Sequence, residues 1–239
     1  MTEIAKVTLA GRAPADKPLL GMTILVVEDS RCASEALRQL CQAGGARMRR
    51  ADTLAAARRH LATYRPGAAV IDLGLPDGPG LELIAEMDAA RPRVPVILAT
   101  SGDDTARYAA EAAGADGFLE KPVSGIAIFQ QALVSRLPAG MRPAGVRALP
   151  GGSVAPDPAA YRDDLDLAAA GLAAGDPGAL PYLLQFLQSA ACAAGDKALL
   201  RVARAAAARI GGGTLPDGVT RSLCADLAGR IRTESAMMR

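Results

Sequence analysis

Apolar residues in the first half of the chain fall in short unbroken runs, each ended by a polar residue and a turn former. Thr23-Ile24-Leu25-Val26-Val27 runs into Glu28-Asp29-Ser30, Ala69-Val70-Ile71 into Asp72, and Val96-Ile97-Leu98-Ala99 into Thr100. Runs of this length, rich in β-branched residues and bounded by turn formers, read as strands buried in a parallel sheet. Weaker strands are expected at about 46–50 and over Asp116-Gly117-Phe118-Leu119, the latter ended by Lys121-Pro122. Between them the apolar period changes to that of a helix. Helices are expected at about 31–42 (Ala33, Leu37, Leu40, Cys41), at 53–64 (Leu54, Ala57, Leu61) and through Leu81, Leu83, Ile84 and Met87. Two more follow, one from Asp103 or Asp104 to about 113 and one at 124–136 (Ile126, Phe129, Leu133, Val134). Five strands alternating with five helices predict an α/β domain: a doubly wound five-stranded parallel sheet with helices on both faces.

The pattern then changes. Residues 1–20 show little periodicity and read as a leader to a first domain at 21–137. Pro138, Gly140, Pro143, Gly145, Pro150, Gly151, Gly152 and Pro156 mark 138–157 as a linker, flexible at Gly151-Gly152. Beyond it only helical segments are expected, at 158–174, 177–193, 196–210 and 217–233, in a second domain at 158–239. Asp157-Pro158 and Asp176-Pro177 read as an N-cap followed by Pro in the first turn, and Asp196 and Asp217 are further cap candidates. Connections this short imply antiparallel neighbours, hence an all-α helical bundle.

Composition adds three constraints. Aromatics are only 3 % of the chain, so its cores must be built from Leu, Val, Ile and Ala. The net charge of +2 demands neither nucleic acid nor anionic lipid, and the 150–239 segment carries nine basic and nine acidic residues. Cys32, Cys41, Cys192 and Cys224 have neither CxxC nor zinc spacing and read as reduced, buried hydrophobes. With no secretory layout at the N-terminus and no apolar run of roughly 20 residues, a soluble cytoplasmic protein is expected.

Candidate chemistry sits where the strands end. Open α/β sheets bind ligands at the carboxyl edge, which would gather Glu28, Asp29, Asp72, Thr100 and Lys121. Three acids on one edge repel one another unless a cation neutralises them, and a hard, oxygen-seeking ion such as Mg²⁺ fits. A hydroxyl and an ammonium opposite the metal suit phosphoryl oxygens, with one carboxylate as nucleophile.

These residues carry a resemblance. Val26-Val27-Glu28-Asp29-Ser30, Ile71-Asp72-Leu73-Gly74-Leu75-Pro76-Asp77-Gly78-Pro79-Gly80, Ile97-Leu98-Ala99-Thr100-Ser101-Gly102 and Gly114-Ala115-Asp116-Gly117-Phe118-Leu119-Glu120-Lys121-Pro122 together resemble the receiver domain of two-component response regulators, over about 22–137. The resemblance implies a flavodoxin-like fold and Asp72 as the phosphoacceptor, supplied by a histidine kinase or a phosphotransfer protein. It implies Glu28, Asp29, Asp72 and the Gly74 carbonyl as the Mg²⁺ set. Thr100 and Phe118 would be switch residues, Lys121 a phosphoryl-binding cation, and Lys121-Pro122 a cis peptide.

The second half states its output less clearly. It holds no GG(D/E)EF-like or HD-like motif and no Walker loop, so enzymatic output is not expected. The sole histidine, His60, reads as a solvated helix residue, and Arg201, Arg204 and Arg209 as a solvated face. The stretch from Leu183 through Ala208 is similar to the central helix pair of histidine-phosphotransfer domains, with Arg204 where that family carries its histidine. The leading expectation is a phosphorelay switch acting through an unidentified protein partner. DNA and membrane are not expected as partners, and a homodimer is left open. A transcriptional regulator with an unrecognised helical DNA-binding domain is the alternative, and a phosphatase or transferase a third reading.

Overall fold

The computed structural model describes residue 14 and residues 16–143, 150–210 and 217–237; of 217 and 234–237 only the backbone is described. Its first half follows the order β1 (Thr23–Val27), α1 (Arg31–Gly44), β2 (Arg47–Ala51), α2 (Leu54–Thr63), β3 (Ala68–Asp72), β4 (Gly74–Leu75), β5 (Gly78–Pro79), α3 (Gly80–Ala89), β6 (Ile97–Ser101), α4 (Arg107–Ala112), β7 (Gly117–Glu120) and α5 (Ile126–Val134). The five long strands form one parallel sheet in the order β2-β1-β3-β6-β7, the expected doubly wound, flavodoxin-like arrangement. β4 and β5 form a two-residue antiparallel pair outside it.

Strand side chains alternate between faces, and the two faces build two cores. Ile24, Val26, Val70, Leu98 and Leu119 pack with Leu37, Leu40, Phe129 and Leu133 of α1 and α5. Leu25, Val27, Ile71, Ile97 and Ala99 pack on the other side with Leu54, Leu83, Ile84 and Ala110 of α2, α3 and α4. Burial on both faces explains why β1, β3 and β6 lack a polar alternation. Arg47-Met48-Arg49-Arg50 read weakly as a strand because β2 is an edge, mostly exposed, where charged side chains suppress further pairing.

Three expectations change. The leader falls largely on residues 1–13 and 15, outside the described residues, but Leu19 at its end is fully buried and its N–H donates to the Gly44 carbonyl. The linker is not free throughout. The Ile126 N–H donates to the Gly152 carbonyl and the Val154 N–H to the Ser124 carbonyl, so this stretch is pinned beside α5. The helix expected from 177 begins at Leu180, because Asp176 caps only a turn through the Gly178 N–H.

The second half contains α6 (Pro158–Ala174), α7 (Leu180–Ala194), α8 (Lys197–Ala207) and α9 (Asp217–Met237), packed as a helical bundle. Asp157 accepts from the Ala159 and Ala160 N–H groups and Asp196 from Leu199, as N-caps do. The Asp217 side chain lies outside the described residues. The bundle core, around Leu165, Leu184, Phe186, Leu187, Leu199 and Leu227, also includes Cys32 from α1. The bundle therefore packs on the sheet domain, with α6 and α7 against α1.

Candidate functional site

Parallel register carries the candidate residues to one edge. Asp72 pairs in register with Thr100, and Thr100 with Leu119, so β3, β6 and β7 end together. β1 ends one residue before Glu28. Gly80 permits the turn after β3: a Cβ there would stand 2.1 Å from the Asp72 carbonyl oxygen, a clash only glycine avoids. Asp77, in the same turn, accepts the Leu54 and Ala55 N–H groups at 2.8 and 2.9 Å and so fixes the loop to the amino end of α2.

The site is buried and ionic. Lys121 Nζ lies 2.8 Å from Glu28 Oε2 and 2.9 Å from Asp72 Oδ2, with all three side chains nearly inaccessible. Single ligand oxygens of Glu28, Asp29 and Asp72 fall within 4.8 Å of one another. Burial pushes the Glu28 carboxyl well above its ordinary value, against the pull of Lys121, and Asp72 and Asp29 add to the rise. Burial and the Asp72 charge push Asp29 up to about 6, opposed by a hydrogen bond from Tyr182. Burial would lower Lys121, but the Asp72 and Glu28 charges outweigh it and raise the ammonium above its ordinary value. Three acids thus share one cation, and a hard divalent ion is the charge this oxygen set lacks. Thr100 Oγ1 is buried without a hydrogen-bond partner, which suits a hydroxyl waiting for an acceptor.

Further residues complete the surroundings. The Ser30 N–H donates to Asp29 Oδ1 at 2.9 Å, and Arg50 holds the Asp29 and Glu28 carbonyls from the edge strand. Phe118 is buried in β7 with the Arg107 guanidinium 4.8 Å over its ring. Gly74 lies just beyond Asp72, half-buried, in the small hairpin. Lys121-Pro122 is cis, as the resemblance implies, and so is Arg91-Pro92. His60 takes no part: its Nε2 pairs with the Arg50 carbonyl and its ring meets the edge of Tyr64.

The sequence did not reveal that the bundle reaches this site. The Tyr182 hydroxyl donates to Asp29 Oδ2 at 2.7 Å, and Lys121 Nζ donates closely to Ser189 Oγ. Asp164 is 1 % exposed and accepts three bonds from the amino end of α1, namely Ser30 Oγ at 2.7 Å, the Arg31 N–H at 2.8 Å and the Cys32 N–H at 3.0 Å. Burial raises the Asp164 carboxyl above its ordinary value even so. Arg204, expected on a solvated face, reaches the Gly102 carbonyl at 3.3 Å. It shares a cleft of about 420 Å³ with Asp72, Lys121, Gln185 and Gln188. A signal existed in the chain. Asp164 occupies a core-facing position in the stripe Tyr161, Leu165, Ala168, Leu172, where a carboxylate needs donors from elsewhere.

Comparison with known proteins is consistent with this geometry. The response regulator receiver domain family matches residues 24–132. The KDP operon transcriptional regulatory protein KdpE of Escherichia coli (strain K12) is 34 % identical over 99 residues, covering 41 % of this chain and 44 % of that protein. The response regulator MprA of Mycobacterium avium (strain 104) is 34 % identical over 102 residues, 42 % of this chain and 45 % of that protein. The chain thus spans under half the length of these curated relatives. One of them is named a transcriptional regulatory protein, so the expectation that DNA is not a partner is unsupported. Similar solved structures include a response regulator receiver domain from Methylobacillus flagellatus (29 % identity, 48 % of this chain, 97 % of that chain, TM-score 0.44). Another is the receiver domain of sensor histidine kinase PA1611 from Pseudomonas aeruginosa PAO1 (27 % identity, 48 % and 97 % coverage, TM-score 0.44). No helix among the described residues is long and apolar enough to cross a membrane, and all four cysteines are free.

Proposed function

We propose, from the premise that residues 24–132 are a response regulator receiver domain, that this chain is a two-component response regulator phosphorylated on Asp72. The observation that carries the reading is the buried Lys121 ammonium at 2.9 Å from Asp72, beside two further acids and the unpartnered Thr100 hydroxyl. Glu28, Asp29 and Asp72, with the Gly74 carbonyl, would hold Mg²⁺. When bound, the ion neutralises charge on the transferring phosphoryl oxygens. An Asp72 carboxylate oxygen attacks the donor's phosphorus. A new P–O bond forms as the donor's P–N or P–O bond breaks, and the leaving group departs with the bonding electrons. Lys121 stabilises the developing charge on a phosphoryl oxygen, and Thr100 supplies its hydroxyl to another. The acyl phosphate adds almost two negative charges and three acceptors beside Lys121, which draws the Thr100 hydroxyl toward the phosphoryl group at Asp72 and lets Phe118 change rotamer behind it.

The donor is a histidine kinase or phosphotransfer protein, and the output is a change in protein contacts made by the helical bundle. Incubation with acetyl phosphate and Mg²⁺ tests the chemistry: the full chain takes up base- and hydroxylamine-labile phosphate and Asp72→Ala takes up none. Equal labelling of Asp72→Ala would refute the assignment. A second reading, transcriptional output, is favoured by the name of one relative. Salt-dependent binding of duplex DNA by the phosphorylated full chain would support it over protein contact alone.

A further inference from the structure

We infer that the helical bundle is an intramolecular competitor for the phosphoacceptor site, with Tyr182 and Ser189 as its blocking groups and Asp164 as its clamp; this rests on the receiver reading above. Three contacts carry the inference. Tyr182 donates its hydroxyl to Oδ2 of Asp29, a member of the only cluster of metal-suited acids found among the described residues. Ser189 Oγ accepts from Lys121 Nζ, the cation a phosphoryl oxygen would need. Asp164, on α6, takes the Ser30 hydroxyl and two backbone N–H groups at the start of α1, immediately after Asp29. Each contact uses a polar group that the acceptor chemistry requires or that adjoins one which does.

The covering is built in, not a brush of two surfaces. Cys32 of α1 is counted in the bundle's core with no exposure, and Ser189 and Asp164 are both buried. The bundle's tether begins at the same place: Val154 and Gly152 pair with Ser124 and Ile126, just past Lys121-Pro122. Ligand binding and bundle docking then call on the same Asp29 carboxylate and the same Lys121 ammonium, so each must weaken the other by the same factor. The bundle reports the state of Asp72 because it is displaced by what binds there. The remaining cleft at Asp72, about 420 Å³, admits a small phosphodonor while α6 and α7 cover α1 against a protein-sized one.

Calorimetric Mg²⁺ titration of the full chain tests this alongside the rate of labelling by acetyl phosphate. Tyr182→Phe removes one hydroxyl and keeps the ring, and is expected to tighten Mg²⁺ binding by roughly ten- to a hundredfold, the range of one hydrogen bond to a charged group. Asp164→Ala, which frees the clamp without touching a metal ligand, is expected to speed labelling and to expose the 150–156 segment to protease. Thermal unfolding of both variants separates release of the bundle from loss of fold. Unchanged or weaker Mg²⁺ binding in Tyr182→Phe, with unchanged labelling in Asp164→Ala, would overturn the competition while labelled Asp72 leaves the phosphoacceptor assignment standing. No label on wild type or either variant overturns both.

Discussion

The Thr100 hydroxyl is the most informative single group in the site. A buried hydroxyl without a partner costs about 1–3 kcal/mol, and Thr100 Oγ1 is such a group. Thr100→Val should therefore raise the stability of the metal-free protein by about 1 kcal/mol in denaturant unfolding. The same variant should lose part of the stabilisation that beryllofluoride, a phosphoryl mimic, gives the wild type. A Thr100→Val chain that is less stable without metal would mean the hydroxyl is already satisfied. Asp164 behaves in the opposite way, because its three donors are all made. Hydrogen bonds to an ionised partner are worth about 1.5–3 kcal/mol each. The Ser30, Arg31 and Cys32 donors thus hold α6 firmly on α1 while the docked state lasts.

Among the elements, the loop between β3 and α3 joins chemistry to fold. It begins at Asp72, ends at Gly80 and on the way places Asp77 over the first turn of α2. The Ala55 and Leu54 N–H groups outweigh desolvation and hold the Asp77 carboxyl below its ordinary value. A depressed acid contributes stability above its unfolded pKa and loses it as pH falls through the folded one. Asp77→Ala should cost about 1 kcal/mol near neutral pH, comparable to losing the side-chain acceptor at a helix amino end, and should flatten the acid side of the stability profile. A wild-type acid slope in the variant would place the effect elsewhere. Strand and helix order were legible because each central strand is an unbroken apolar run and each helix has one apolar face. The start of α7 was not, because Asp176-Pro177 satisfies the same local preferences as an N-cap while closing only a turn. Nor was the role of Leu19, an apolar residue in a Pro-containing stretch with no period to reveal that it packs against Gly44.

For the molecule as a whole, the sequence separates two domains by texture but says little of how they meet. The acids, hydroxyl and ammonium of the first domain lie at strand ends, so their convergence follows from parallel topology. Tyr182, Ser189 and Asp164 come from two helices far along the chain, and their convergence depends on the docking of one domain on another. Only Asp164, a carboxylate on an apolar stripe, betrayed it. The docked arrangement also changes the meaning of Arg204, which resembled the missing histidine of a phosphotransfer helix and instead lies in the Asp72 cleft. The helical bundle covers the sheet domain at the proposed phosphoacceptor, so on the proposed reading charge gained at Asp72 acts directly on the contact between them.

The most direct test of that coupling is small-angle X-ray scattering of the full chain with Mg²⁺, before and after beryllofluoride. The account predicts a larger radius of gyration with beryllofluoride in wild type and no change in Asp72→Ala. A wild-type radius that stays the same, in protein shown by calorimetry to have bound beryllofluoride, would contradict it.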